Sequence, residues 1–157
     1  MGTIIGITEQ NRKAVAIELS KLLADEFVLY TKTRNAHWNV EGPDFHAMHL
    51  FFEGQYEQLD GIMDGVAERI RTLGHYAPAT LKDFLALTHL TERTNGKNDS
   101  LSFIKELLED HESVIEFIRG NIEPFAAKYH DYGTSDYITG LMESHEKLTW
   151  ILRSHLD

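Results

Sequence analysis

Nine residues, Phe45, Met48, Phe52, Tyr56, Leu59, Met63, Val66, Ile70 and Leu73, follow one another at steps of three or four. Such steps return to one face of an α-helix, so the segment is an apolar seam about eight turns long. A strand, with its period of two, cannot present this pattern to one side. A seam of this length needs partners of similar length, and the rest of the chain supplies them. The first helix is expected from about Thr8, a candidate N-cap, to near Asn35, with Val15, Leu19, Leu22, Leu23, Phe27 and Tyr30 on its apolar face. The loop Glu41-Gly42-Pro43-Asp44 breaks it, Asp44 caps the second helix, and Gly74 ends that helix as its C′ residue. A short helix from Thr80 to about Thr88 and a polar loop from Thr91 to Asp99 come next. The third helix, capped by Asp99 or Ser100, runs through Leu101, Ile104, Leu108, Ile115 and Ile118, and the fourth from about Ser135 to Leu156. The expectation is all-α: a four-helix bundle with a short helix between the second and third helices. Residues 1–7 form a short N-terminal tail and 8–157 a single domain.

Composition narrows the chemistry. The 157 residues include no cysteine, which excludes disulfides, thiolate catalysis and cysteine-based metal sites. No apolar run approaches the roughly 20 residues of a membrane span, and the N-terminus lacks a signal pattern, so a cytoplasmic protein is expected. Fifteen basic against 25 acidic residues give a net charge of −10, which repels phosphate backbones and attracts cations. Nine histidines in such a chain point mildly toward metal.

The polar face of the second helix is more specific. His49 and Glu53 are an i,i+4 pair, as are Asp64 and Glu68, so each pair can converge on a cation. At about 100° per residue this stripe lies roughly 110° from the centre of the seam, beside the subunit's core. It is either a solvated charged face or a set of metal ligands. Glu53 and Asp64 are separated by about 16 Å of helix axis, too far to share an ion within one helix. Two copies packed antiparallel about a twofold axis near Gln58 and Leu59 would bring His49 and Glu53 of one against the acidic pair of the other, twice per dimer. Gly54, Gly61 and Gly65 share a neighbouring face, which either permits close helix approach or tolerates poor helix formers in solvent.

Asn35-Ala36-His37-Trp38-Asn39-Val40, then Phe45-His46-Ala47-Met48-His49 and Met63-Asp64-Gly65-Val66-Ala67-Glu68-Arg69, resemble the signature of the Dps family, small ferritin-like proteins named for DNA binding in starved cells. The order and spacing of helices match over essentially the whole chain, including Lys147-Leu148-Thr149-Trp150 in the last helix. The resemblance implies a ferritin-like bundle assembled through twofold dimers into a hollow dodecamer. Such a shell oxidises Fe²⁺ with hydrogen peroxide or oxygen, stores ferric mineral, and protects against oxidative stress.

By the same resemblance His37, His49 and Glu53 of one subunit and Asp64 and Glu68 of the partner subunit form the ferroxidase site. The same donors also suit other divalent metals such as zinc. Glu53 departs from the pattern, in which aspartate is usual. Trp38 resembles the family's tryptophan beside the iron, either a one-electron donor or a packed aromatic. His46 is a candidate accessory ligand, with a solvated histidine the favoured reading. Asp136 aligns with an acidic pore, a surface N-cap or helix-dipole role being the alternative. Members that compact DNA commonly use a lysine-rich tail; residues 1–7 hold no basic residue and the chain is acidic, which disfavours direct DNA binding as the main function. A bundle-core di-iron site of the Glu-x-x-His type is rejected, because no histidine has glutamate three residues before it. A metal-free helical scaffold is the remaining rival.

Overall fold

The chain becomes helical where its first good cap allows. Thr8 accepts the backbone N–H of Asn11 through its hydroxyl at 3.2 Å, and α1 (Glu9–Asn39) follows. The computed structural model describes residues 2–157. Helix α1 runs beyond the expected end near Asn35, because nothing in Ala36-His37-Trp38 breaks it and the Val40 N–H closes on the Ala36 carbonyl at 3.0 Å. Reversal comes at Gly42, whose φ of 128° suits only glycine.

Helix α2 (Phe45–Thr72) carries the seam. Met48, Phe52, Leu59, Met63, Val66, Ile70 and Leu73 are buried as expected, whereas Phe45 is exposed and Tyr56 half-buried. Both depart from the core because they pack against histidine rings at the end of the bundle. Gly74, at φ 88°, terminates α2: its N–H bonds to the Arg71 carbonyl and that of His75 to the Ile70 carbonyl, a Schellman motif. The buried Arg12 of α1 donates to the Leu73 carbonyl at 2.7 Å, so the start of α1 also closes the end of α2.

A long connection holding α3 (Leu81–Leu87) crosses α1 and leads to α4 (Ser100–Glu123). Thr80 caps α3 through Asp83 N–H, and Asp99 caps α4 through Ser102 N–H. A π-helical turn, Pro124–Lys128, buries Phe125 and leads to α5 (Tyr132–Arg153), which starts three residues before the expected Ser135 because Asp131 caps it. On α4 the apolar face is Phe103, Ile104, Leu107, Leu108, Val114 and Ile118; Leu101 is exposed and Ile115 half-buried, both outside that face.

The architecture is two antiparallel hairpins, α1/α2 and α4/α5, joined by the long α2–α4 connection, with α3 as its short helix. No strand is formed among the described residues, only an isolated bridge between Glu41 and Asp99. This is the ferritin-like bundle that the resemblance implies.

Candidate metal centre

The bridge between Glu41 and Asp99 fixes the α1–α2 corner. The Glu41 N–H reaches the Asn98 carbonyl at 2.9 Å, and the Ser100 hydroxyl donates to Asp44 Oδ2 at 2.6 Å. Asp44 therefore stands at the N-cap position but makes no capping bond; its carboxylate serves the tertiary contact to α4 instead. With the corner held, the last turn of α1 faces the first turns of α2.

His37 and His49 occupy these turns and clamp each other. His37 Nδ1 lies 2.7 Å from the His49 carbonyl, and His49 Nδ1 lies 2.7 Å from the His37 carbonyl. A carbonyl only accepts, so each Nδ1 carries a proton. Each neutral ring then has its lone pair on Nε2, the atom available to a cation. The rings stack with centroids 3.8 Å apart; Phe45 covers His49 and the edge of Tyr56 meets His37. Ring orientation is thus set by packing as well as by hydrogen bonds.

Glu53 is half-buried one turn along α2 from His49, and the Tyr56 hydroxyl donates to its Oε1 at a long 3.4 Å. The guanidinium of Arg34 lies over the Tyr56 ring at 3.8 Å and donates to the Tyr30 hydroxyl at 2.9 Å, which fixes the floor under Glu53. Asp64 and Glu68 are exposed three and four turns further along α2. The structure thus brings His37 and His49 together, keeps Glu53 nearby, and leaves the acidic pair at the other end. Among the described residues no three histidine, aspartate or glutamate side chains of one chain converge to hold an ion.

The exposed residues Leu50, Gly54, Glu57, Gly61, Asp64 and Glu68 run along α2 as one stripe, with Gln58 also exposed near its middle and Leu59 turned into the core. The glycines divide. Gly54 and Gly61 open to space within the chain, whereas a Cβ on Gly65 would sit 2.7 Å from the Tyr137 hydroxyl of α5. Gly65 thus serves contact within the bundle, a correction to the view of three glycines sharing one role.

Of the remaining candidates, Trp38 is 66% exposed, so within the chain it is not the packed aromatic of the alternative reading. His46 is exposed. Asp136 is exposed in the second turn of α5, and the N-cap role belongs to Asp131, whose oxygens accept from Thr134 N–H at 2.9 Å and its hydroxyl at 2.5 Å. Sequence reasoning passed over the polar groups inside the bundle. Lys32, 4% exposed, reaches Asp110 at 2.5 Å and Glu106 at 3.1 Å, and Glu26 meets His145, which in turn meets His111. Their signal was a polar letter at a seam position.

The family model for the ferritin-like domain matches residues 17–157. A low temperature-induced protein of Nostoc sp. is 38% identical over 153 residues, spanning 98% of this chain and 86% of that protein. DNA protection during starvation protein 2 of Bacillus anthracis is 32% identical over 147 residues, 94% of this chain and 99% of the relative. The crystal structure of the Dps protein of Vibrio cholerae O1, described as a member of the ferritin-like diiron-carboxylate superfamily, superposes with a TM-score of 0.93 at 30% identity and covers 100% of this chain and 98% of that one. Fold, motif and relatives agree: this chain belongs to the Dps family of ferritin-like proteins.

Proposed function

We propose that the protein oxidises Fe²⁺ at sites shared between two subunits and stores the ferric product as mineral inside a hollow dodecamer, protecting the cell from oxidative stress. The observation that carries this reading is the reciprocal His37–His49 clamp. It leaves two Nε2 lone pairs near one end of the exposed face of α2, whose other end holds Asp64 and Glu68. A twofold axis beside Gln58 would set the histidines and Glu53 of one subunit against Asp64 and Glu68 of the partner subunit.

Fe²⁺ is substrate here. Carboxylate oxygens favour Fe³⁺ over Fe²⁺, and imidazoles leave coordination positions open to an oxidant. Where two Fe²⁺ ions each give one electron to one peroxide, the O–O bond breaks with both electrons supplied and no hydroxyl radical leaves. In this proposal Trp38, the exposed residue that follows His37, serves as a reserve one-electron donor when only one iron is bound. Asp136 is the pore residue in this proposal. Hydrogen peroxide is the oxidant we expect to act fastest, with O₂ as a slower one, and zinc is a competitor for the same donors. The net charge of −10 per chain multiplies over a shell and opposes direct DNA binding.

The test is anaerobic loading with Fe²⁺, then peroxide or air, following ferric absorbance and co-elution of iron with the shell. Wild-type protein should oxidise rapidly and retain a core, and Asp64→Ala/Glu68→Ala should not. The shared nature of the site has its own test. Mixed at random, the acidic double variant and His37→Ala/His49→Ala form about half heterodimers, each with one intact site, so about a quarter of the activity returns. Wild-type oxidation no faster than buffer refutes the function; no recovery on mixing, with both variants folded and assembled, refutes the sharing.

A further inference from the structure

Midway along α1 and α4, three ionisable side chains meet with no exposure at all: Glu26 of α1, His111 of α4 and His145 of α5. His145 Nε2 lies 2.6 Å from Glu26 Oε1, and its Nδ1 lies 2.8 Å from Nδ1 of His111. Glu26 Oε2 and His111 Nε2 are buried without a hydrogen-bond partner among the described residues. None of these groups belongs to the iron site proposed above, and the inference does not rest on that site.

The contact between the rings limits their charge. A gap of 2.8 Å between two nitrogens holds one hydrogen, which one ring donates and the other accepts. With Glu26 ionised and both rings neutral, one proton sits between Glu26 and His145 and one between the rings. One further proton can enter on His111 Nε2, giving a single imidazolium balanced by Glu26. A second charged ring would force two N–H hydrogens into the same gap and leave a net positive charge where no water reaches.

We propose that Glu26, His145 and His111 form a proton-binding site in the bundle core, closed to a second ring charge, so that acid unlocks α1 from α4 and α5. Burial, with His145 as the second cause, holds the His111 ring well below the usual imidazole range. The surroundings offer little relief. Tyr137 of α5 senses Glu26, and from α2 Arg69 and Glu68 act on Tyr137 in opposite directions. On the neighbouring turns Asp110 of α4 is engaged with Lys32 of α1, and Asp25 of α1 turns away to Thr88 and His89.

The sign follows from linkage. In the unfolded chain both rings titrate near 6.5, whereas the folded pair takes one charge at most. Stability is therefore complete above about pH 6.5. It falls as pH drops below that value, by about tenfold in the folding constant per pH unit for each proton excluded, and at least one is excluded.

Urea unfolding of the full chain tests this from about pH 8 to pH 5, at fixed protein concentration and ionic strength. The amide of His111→Gln can donate to His145 Nδ1 while that ring is neutral and accept from it once the ring is charged, and it takes up no proton itself, so the acid limb should be shallower by close to tenfold per pH unit or more. Parallel limbs for wild type and variant would overturn the proposal. Should the variant not fold, wild-type protein with carbon-labelled histidine rings decides by NMR. At least one ring resonance should hold its neutral position until acid unfolding, and titration of all nine histidines in the folded protein would overturn the proposal.

Discussion

Replacing Lys32 by methionine removes one charge from the junction of α1 with α4 and keeps most of the side-chain volume. The Lys32 ammonium, 4% exposed, pairs with Asp110 Oδ2 at 2.5 Å and Glu106 Oε1 at 3.1 Å and donates to the Thr91 carbonyl at 3.0 Å. The three acceptors fare differently once it is gone. Glu106 keeps Arg93 and a quarter of its exposure, so its loss is small. Asp110 keeps nothing comparable: burial already pushes its carboxyl above the usual range, against the pull of Lys32. Breaking a buried pair by removing one partner typically costs about 3–5 kcal/mol. The lower end applies here, because Asp110 can escape by taking up a proton, so we expect a loss of about 3 kcal/mol at neutral pH. Urea unfolding at fixed concentration gives the number, and Lys32→Met/Asp110→Leu completes the cycle. The double variant should be more stable than Lys32→Met alone, since it removes the stranded carboxylate. A single-variant loss below about 1 kcal/mol would show the pair to be screened like a surface salt bridge and refute the reasoning.

Two further predictions concern the contact between α2 and α5. Gly65→Ala should destabilise the protein despite the better helix propensity of alanine, because the new Cβ would lie 2.7 Å from the Tyr137 hydroxyl; Gly120→Ala, with nothing within 4 Å, should gain about 0.5–1 kcal/mol in the same unfolding assay. Equal effects at the two positions would mean that Tyr137 gives way freely. Burial, followed by the negative charge of Glu26, pushes the Tyr137 phenol up to about 12. The folded chain therefore keeps a proton that the unfolded chain releases from about pH 10, so stability is lost as pH rises from about 10 through 12. Following unfolding and phenolate absorbance together should show a shallower alkaline limb for Tyr137→Phe.

What the sequence makes legible is what repeats along one element. The α2 seam could be read because each of its residues answers to the same core, and Phe45 and Tyr56 strayed because other rings, not the core, receive them. Asp44 has the right residue type for a cap, yet its carboxylate goes to Ser100, 56 positions away, and no local pattern announces such a partner. The same limit applies to His37. Its pairing with His49 depends on the direction in which a five-residue corner turns, and that corner is held by Asn98 and Asp99 from a distant part of the chain.

Glu26, His111 and His145 are a different case, because their positions were readable. His111 falls among Ile104, Leu107, Val114 and Ile118, and His145 among Ile138, Leu141, Leu148 and Leu152, each at the steps of three or four that mark the inward face. Glu26 falls likewise between Leu22 and Leu29 on α1. A search for Glu-x-x-His within one helix could not see them, because their partners come from three helices and the spacing within each is that of the core itself. Polar residues on an inward face are costly unless they satisfy one another, so three such interruptions at matching depth already require a contact. The acidic stripe obeys the converse rule. Asp64 and Glu68 lie outward, where charge costs nothing, so their pattern alone could not separate ligands from a solvated face. What favours the ligand reading proposed above lies at the other end of α2, where two histidines spend their Nδ1 protons on each other's backbone carbonyls and keep Nε2 for a cation.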